Sequence, residues 1–358
     1  MIPITLLGLF PNIQPELLGG VETSGRLAWG ALARHLSAHG KRAMLFCYER
    51  NSHDRRTDDP PRLPARSKLG AIWRLLRLAE QPRVILVWHL GLLKLVPLLR
   101  APQAQIILFL HGIEAWRVQD QITQRVLKRV NLVLANSHST YERFLKFVPR
   151  ACSISSRIVP LGIETPLDCI APPTSPPCML MLSRLERAED YKGHREMIAA
   201  WSRVRVQIPD AQLWIAGDGN LRAELQAQVA ALGLQGAVRF WGRVDDLKKQ
   251  ELMQACRAFA LPSRREGFGL VYLEAMRAGR PCLVSTVDAG REVVNPPEAG
   301  LAADPGNANA LADAACCLLK DDSSWDEWSM QARRRYENHF TALHFQQRLK
   351  DAVLPFVA

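Results

Sequence analysis

Short apolar runs recur along this chain at intervals that leave room for one helix or one loop between them. Ile2–Leu9, Ala43–Cys47, Val84–Trp88, Ile106–Leu110 and Leu132–Ala135 form a first series, and Cys178–Leu182, Ala211–Ala216, Val238–Trp241, Ala258–Leu261 and Pro281–Ser285 form a second. Runs this short and this apolar read as strands buried on both faces, and their alternation with helical lengths predicts parallel, doubly wound sheets. Between the series lie Pro166, Pro172, Pro173, Pro176 and Pro177, the composition of an interdomain linker. Two α/β domains follow, and 358 residues at 48% hydrophobic content suffice for two cores.

In open parallel sheets, ligands lie outside the carboxyl ends of the strands, so chemistry is sought directly after the apolar runs. The most informative such segment is Ser263 to Pro281, in which seven residues separate Glu266 from Glu274. Gly267 and Gly269 mark a tight turn. Leu270, Leu273, Ala275, Met276 and Ala278 then carry helical periodicity up to Gly279 at the C-terminal cap. Backbone N–H groups at Gly269 and Leu270, with the helix dipole, offer a site for a diphosphate. Glu266 would accept hydroxyls on one side of the phosphates and Glu274 a ribose on the other, as if a sugar nucleotide lay across the helix N-terminus. The plainer alternative is that Glu266 caps the helix and Glu274 sits on a solvated face.

The neighbouring motifs favour the first reading. They are Leu18-Gly19-Gly20-Val21-Glu22, His111-Gly112, Ala135-Asn136-Ser137, Pro160-Leu161-Gly162-Ile163, Ser183-Arg184-Leu185 with Lys192-Gly193-His194, Gly217-Asp218-Gly219 and Gly242-Arg243-Val244. In this order and spacing, with Glu266 and Glu274, they resemble the retaining family-4 glycosyltransferases over nearly the whole chain. That resemblance implies an α/β GT-B fold: two Rossmann-like, doubly wound domains facing across a cleft. The expected organisation is an acceptor-binding domain over 1–165, a linker over 166–177, a nucleotide-sugar-binding domain over 178–340, and a C-terminal helix over 341–358 crossing back toward the first domain.

The resemblance also implies roles. Arg184 and Lys192 bring positive charge to the departing diphosphate, Glu266 binds the donor sugar, and His111 points at that sugar. In many relatives the Arg and Lys stand closer together; here Leu185 to Tyr191 intervene. Donor binding is further expected from Gly19 and Gly20, Gly217, Arg243 and Val244 near the base, and Phe268, Gly269, Leu270 and Glu274. No Asp-x-Asp sequence is present to hold a divalent ion under a sugar diphosphate, so metal-independent chemistry without a cofactor is expected. The donor's own phosphate serves as the base, and substitution proceeds on the front face through an oxocarbenium-like transition state.

Composition adds partners. The eight cysteines are scattered with no Cys-x2-Cys pair, which argues against a zinc site or a disulfide framework and for a reducing, cytoplasmic compartment. Met1–Phe10 lacks a basic leading region and reads as a buried first strand, and no stretch of about 18 uncharged apolar residues occurs. The net charge of +11 is uneven: residues 1–170 hold 23 Lys and Arg against 12 Asp and Glu, residues 171–358 hold 23 against 23. The first half therefore expects an anionic partner, such as a membrane surface or a lipid diphosphate. Lys68–Leu78 has the pattern of a basic amphipathic helix, and Leu92–Arg100 is a second apolar segment with cationic flanks; both suit a peripheral position on the cytoplasmic face of the inner membrane. Nucleic acid is disfavoured, because no helix-turn-helix, zinc finger or RNA-binding aromatic signature accompanies the charge.

The expected activity is hexose transfer from GDP-mannose or a UDP-hexose to a saccharide or a polyprenyl-diphosphate-linked saccharide, in cell-envelope or exopolysaccharide synthesis. The alternatives are another GT-B enzyme, such as a sugar-nucleotide epimerase or a phosphorylase, and a non-catalytic nucleotide-sugar-binding protein.

Overall fold

The computed structural model describes residues 3–13, 19–48, 62–65, 68–78, 80–164, 166–167, 169–320 and 324–357. They divide into two compact units, one of residues 1–162 with 342–358 and one of residues 163–341.

The first unit runs β1 (Ile4–Phe10), α1 (Gly20–Ala38), β2 (Arg42–Tyr48), β3 (Arg62–Ala65), α2 (Lys68–Leu76), β4 (Val84–Val87), β5 (Gln105–Leu110), α3 (Gln121–Leu127), β6 (Val130–Ala135), α4 (His138–Phe147) and β7 (Ser155–Ile158). Its seven strands pair in the order β3-β2-β1-β4-β5-β6-β7, all in parallel. Val84, Ile85, Leu86 and Val87 are fully buried, as expected for a strand covered on both faces. Asp120 starts α3 by accepting from the N–H groups of Ile122 and Thr123, and Ser137 starts α4 by accepting from Thr140. The strands β3, β7 and, in the second unit, Gly300–Ala303 do not read as apolar runs: Ser155–Ile158 is polar, Arg62–Ala65 is short and contains Pro64, and Gly300–Ala303 is short and made mostly of Gly and Ala.

Leu92–Arg100 does not form an interfacial segment. Leu90–Leu99 is a 3-10 helix whose Leu92, Leu93, Val96 and Leu99 join the core, so its apolar side is spent on the sheet.

The second unit runs β8 (Cys178–Leu182), α5 (His194–Gln207), β9 (Gln212–Ala216), α6 (Arg222–Ala231), β10 (Val238–Gly242), α7 (Asp246–Ala255), β11 (Ala258–Ala260), α8 (Leu270–Arg277), β12 (Cys282–Ser285), α9 (Gly290–Val294), β13 (Gly300–Ala303), α10 (Ala308–Leu319) and α11 (Ser324–His339). Its sheet has six parallel strands in the order β10-β9-β8-β11-β12-β13. The proline-rich stretch expected as the interdomain linker is numbered within this unit. Thr174 N–H donates to the Ala255 carbonyl, Arg280 to the Ala171 carbonyl and Arg333 to the Leu167 carbonyl, so these contacts tie the stretch down. The last helix, α12 (Ala342–Val357), belongs to the first unit and packs on α1. All eight cysteines are free thiols.

Both sheets reverse their strand order once, between β1 and β4 and between β8 and β11. Connections on the two sides of such a point leave in opposite directions and open a crevice at the carboxyl ends of the strands.

Candidate functional site

At the β8/β11 switch point, two chain exits meet. Ser183, Arg184 and Leu185 leave β8, and Pro262 through Glu266 leave β11. The exits are tied together, because Arg264 N–H donates to the Tyr191 carbonyl at 2.9 Å. Neighbouring exits join on the other side: Ser183 N–H donates to the Ala216 carbonyl, Leu185 N–H to the Asp218 carbonyl, and Gly217 N–H to the Gly242 carbonyl. A side chain at Gly217 (φ 134°) would place its Cβ 1.8 Å from the Ser183 carbonyl oxygen. Gly217 is therefore required by the contact between loops, whatever else it touches. Arg243 is exposed and Val244 half-buried just after β10.

The predicted cations come together through a residue that was not singled out. Glu189 receives the Arg184 guanidinium on one oxygen, and the Lys192 ammonium lies 2.7 Å from the other. Five of the seven intervening residues, Arg187 to Tyr191, belong to a 3-10 segment over Arg187–Lys192 that returns Lys192 to the neighbourhood of Arg184. Its signal was present as an i,i+3 acid–base pair, Glu189 to Lys192, but such pairs are common on any surface.

Glu266 shares this neighbourhood. Its backbone is clamped, since its N–H donates to Asp288 at 3.0 Å and its carbonyl accepts from Ala289 at 3.2 Å. Asp288, 4% exposed, was not anticipated either. Burial raises the Glu266 carboxyl above the ordinary range; Lys192 and the Phe268 and Gly267 N–H groups oppose that rise, and Glu189 adds to it. Tyr191 is pushed up to about 12 by burial and then by Glu189 and Glu266. Arg184, Glu189, Tyr191, Lys192 and Glu266 thus form one electrostatic cluster.

From Glu266 the chain turns into α8. Gly269 caps the helix with φ 86° and no side-chain acceptor, and Phe268 is buried edge-on against Phe340, so side chains at this helix start are packed inward. Glu274 lies within α8 and is not an open carboxylate: Lys249 Nζ, from α7, sits 3.0 Å from its Oε1 and 3.2 Å from Asp246. Burial opposes the charge on Lys249, but Glu274 and Asp246 hold its pKa above the ordinary value. Nothing local announces a pair 25 residues apart.

In the first unit, Gly19 and Gly20 stand at the start of α1, after β1, and His111 follows β5. Leu18 lies outside the described residues. Trp88, after β4, connects them: its indole N–H donates to the Val21 carbonyl at 3.1 Å, and its own carbonyl lies 2.7 Å from His111 Nε2. A carbonyl only accepts, so His111 Nε2 carries the proton and Nδ1 is an acceptor. Burial lowers the His111 pKa to about 4 although Glu114 and the Trp88 carbonyl oppose it, so the ring is neutral at pH 7.

The chain matches known proteins along most of its length. A family model described as Glycosyltransferase Family 4 matches residues 19–165, and one described as Glycosyl transferases group 1 matches residues 170–335. The chain belongs to the family-4 glycosyltransferases and has their two-domain α/β GT-B fold. Among similar proteins, a glycogen synthase of Mycobacterium tuberculosis is 30% identical over 233 residues, 64% of this chain and 53% of that one. A phosphatidyl-myo-inositol mannosyltransferase of Mycobacterium leprae is 36% identical over 163 residues, 44% of this chain and 42% of that one. The chain spans about half the length of the curated relatives it matches. The fold is shared with Anabaena HepE in complex with UDP, at 20% identity over 98% of this chain and 100% of that one with a TM-score of 0.76. It is shared equally with sucrose-phosphate synthase of Thermosynechococcus elongatus, at 21% identity over 98% of both chains with a TM-score of 0.74.

Proposed function

We propose that this protein is a retaining glycosyltransferase that moves a hexose from a nucleoside-diphosphate sugar, GDP-mannose or a UDP-hexose, to a saccharide or lipid-linked saccharide acceptor. The observation that carries the proposal is the convergence of Arg184, Lys192 and Glu266 at the switch point of the second unit, beside the start of α8. A departing nucleoside diphosphate gains negative charge as the glycosyl bond breaks. Two held cations and a helix N-terminus stabilise that charge. Glu266 accepts hydroxyls of the donor sugar, Glu274 accepts the ribose beside Lys249, and backbone groups of Phe268, Gly269 and Leu270 face the phosphates. In the first unit, Gly19, Gly20 and His111 keep the roles that the resemblance implies, with His111 offering Nδ1 to a sugar hydroxyl.

The donor phosphate takes the acceptor's proton, so neither glutamate needs to act as a nucleophile and no covalent enzyme intermediate forms. Arg184 and Lys192 supply the charge that a divalent ion would otherwise supply, and the native enzyme is expected to stay active in chelator. Relatives named as mannosyl- and rhamnosyltransferases support a hexosyl donor. The test is a pair of variants assayed with radiolabelled UDP- and GDP-hexoses. Glu266→Ala is expected to abolish transfer with nucleotide affinity largely kept, and Glu274→Ala to weaken nucleotide binding. Near-native turnover and affinity in both would overturn the assignment.

An anionic lipid surface is the partner we propose for the first unit. Ile72, Trp73 and Leu76 are 37%, 55% and 41% exposed on α2, and the Arg77 guanidinium lies 3.8 Å from the centre of the Trp73 ring. No helix among the described residues is long and apolar enough to cross a membrane.

A further inference from the structure

We propose that Glu189 is a positioning residue for the transfer reaction: its carboxylate holds Arg184 and Lys192 side by side where the diphosphate departs. The role rests on the function proposed above for those two cations. Each oxygen of Glu189 serves a different cation. The side chains of Glu189 and Lys192 are each 14% exposed, whereas that of Arg184 is 75% exposed. A half-buried ammonium gains from a nearby opposite charge, and a long exposed guanidinium has many rotamers to choose from; Glu189 forms an ion pair with the first and anchors the second. Its own backbone is fixed by a 2.8 Å bond from its N–H to the Glu186 carbonyl, at a kink (φ −115°, ψ 19°) in the 3-10 segment.

The charge arithmetic sets the consequence. Arg184, Lys192 and Glu189 by themselves carry a single positive charge. The diphosphate of the donor shares the same N–H donors with Glu189, and the additional charge formed as the C1–O bond breaks draws them most strongly. Removing the carboxylate frees both cations for any diphosphate, substrate or product, but no longer fixes where they stand. Diphosphate then binds more tightly while the chemical step slows.

Glu189 also acts on Glu266. The charged and titratable groups around Glu266 are Lys192, Glu189 and Tyr191 from the 3-10 segment, Arg265 beside it, Asp288 at its N–H, and Tyr272 of α8. Neutralising Glu189 removes a negative neighbour, so Glu266 ionises at lower pH and the acid limb of turnover moves downward.

The experiment measures kcat, KM and the pH profile of turnover, with UDP and GDP affinities by calorimetry, for Glu189→Gln, Glu189→Asp and Arg184→Ala in the full chain. Glu189→Gln is expected to lower kcat at least about tenfold, to tighten UDP or GDP about tenfold, and to shift the acid limb to lower pH. Glu189→Asp, which keeps the charge, is expected to leave the acid limb at its native position even if its shorter reach slows turnover. A slower Glu189→Gln enzyme with an unmoved acid limb and unchanged diphosphate affinity would reduce Glu189 to a structural role and overturn the proposal. Native behaviour of Glu189→Gln alongside loss of turnover in Arg184→Ala overturns the role of Glu189 alone. Native turnover in Arg184→Ala overturns the function proposed for the cations, and the role of Glu189 with it.

Discussion

Gly269 shows how tightly single residues constrain the site. Its φ of 86° is a conformation that L side chains rarely adopt, and an added Cβ would lie 2.4 Å from two atoms of the buried Tyr272 ring. That ring is held in turn by a 2.7 Å bond from its hydroxyl to the Leu261 carbonyl at the exit of β11. Gly269→Ala is therefore expected to destabilise the protein by roughly 1–3 kcal/mol or more, read as a lower urea midpoint with an unchanged slope. A midpoint equal to that of the native chain would show that Tyr272 can move aside. The turn itself was legible from Gly267 and Gly269, but the ring that makes glycine compulsory was not, because Tyr272 stands outside the helical-period positions Leu270, Leu273, Ala275, Met276 and Ala278.

At the scale of elements, α2 separates pattern from placement. The sequence presents α2 and the segment after β4 as two similar apolar segments with cationic flanks. The structure buries the second and leaves Ile72, Trp73 and Leu76 of the first exposed, with Leu75 turned into the core. Beyond it, Ile113, Val118 and Ile122, at and before α3, are 47%, 76% and 53% exposed. Between Lys68 and Arg150 the sequence holds 13 Lys and Arg against 4 Asp and Glu, so the basic excess of the first half lies mostly in this stretch. Replacing Lys68, Arg74 and Arg77 by Glu is expected to weaken binding to anionic liposomes by several kcal/mol, at about 1 kcal/mol for each charge removed and again for each reversed. Cosedimentation at low and high salt measures it. Native protein that does not distinguish anionic from neutral vesicles at low salt would exclude this surface as the docking face. The side chain of Lys68 lies outside the described residues.

At the scale of the whole molecule, the two sheets make stability depend on pH through buried imidazoles. His111 is lowered to about 4, chiefly by burial, and His194 to about 3 by burial and then by Lys192. Both are neutral in the native state while the unfolded chain binds protons below about 6.5. The unfolded state therefore holds more protons as pH falls from about 6.5 toward 4 and 3, and native stability is lost across that window, on the order of 3 kcal/mol for each group. Thermal unfolding between pH 7 and pH 4 checks this, with His194→Asn expected to flatten the curve. A melting temperature that does not change over that range would contradict neutral burial of both rings.

What the sequence by itself determined was everything that repeats or is local. The buried parallel strands announce themselves as uniform apolar runs, the turn and helix around Gly269 follow from residue type and spacing, and the order of the motifs identifies the family. The edge strands β3, β7 and β13 did not announce themselves, because β7 is polar, as a half-covered edge tolerates, while β3 and β13 are four residues long and carry Pro64 or Gly and Ala in place of large apolar side chains. Only the tertiary structure decided which charges meet. Glu189 bridging Arg184 and Lys192, Lys249 on Glu274, Asp288 under Glu266 and Trp88 between His111 and α1 each join separate segments or cross a kinked loop. Periodicity records which way a side chain faces on its own element; it carries no information about what another element brings to the same crevice.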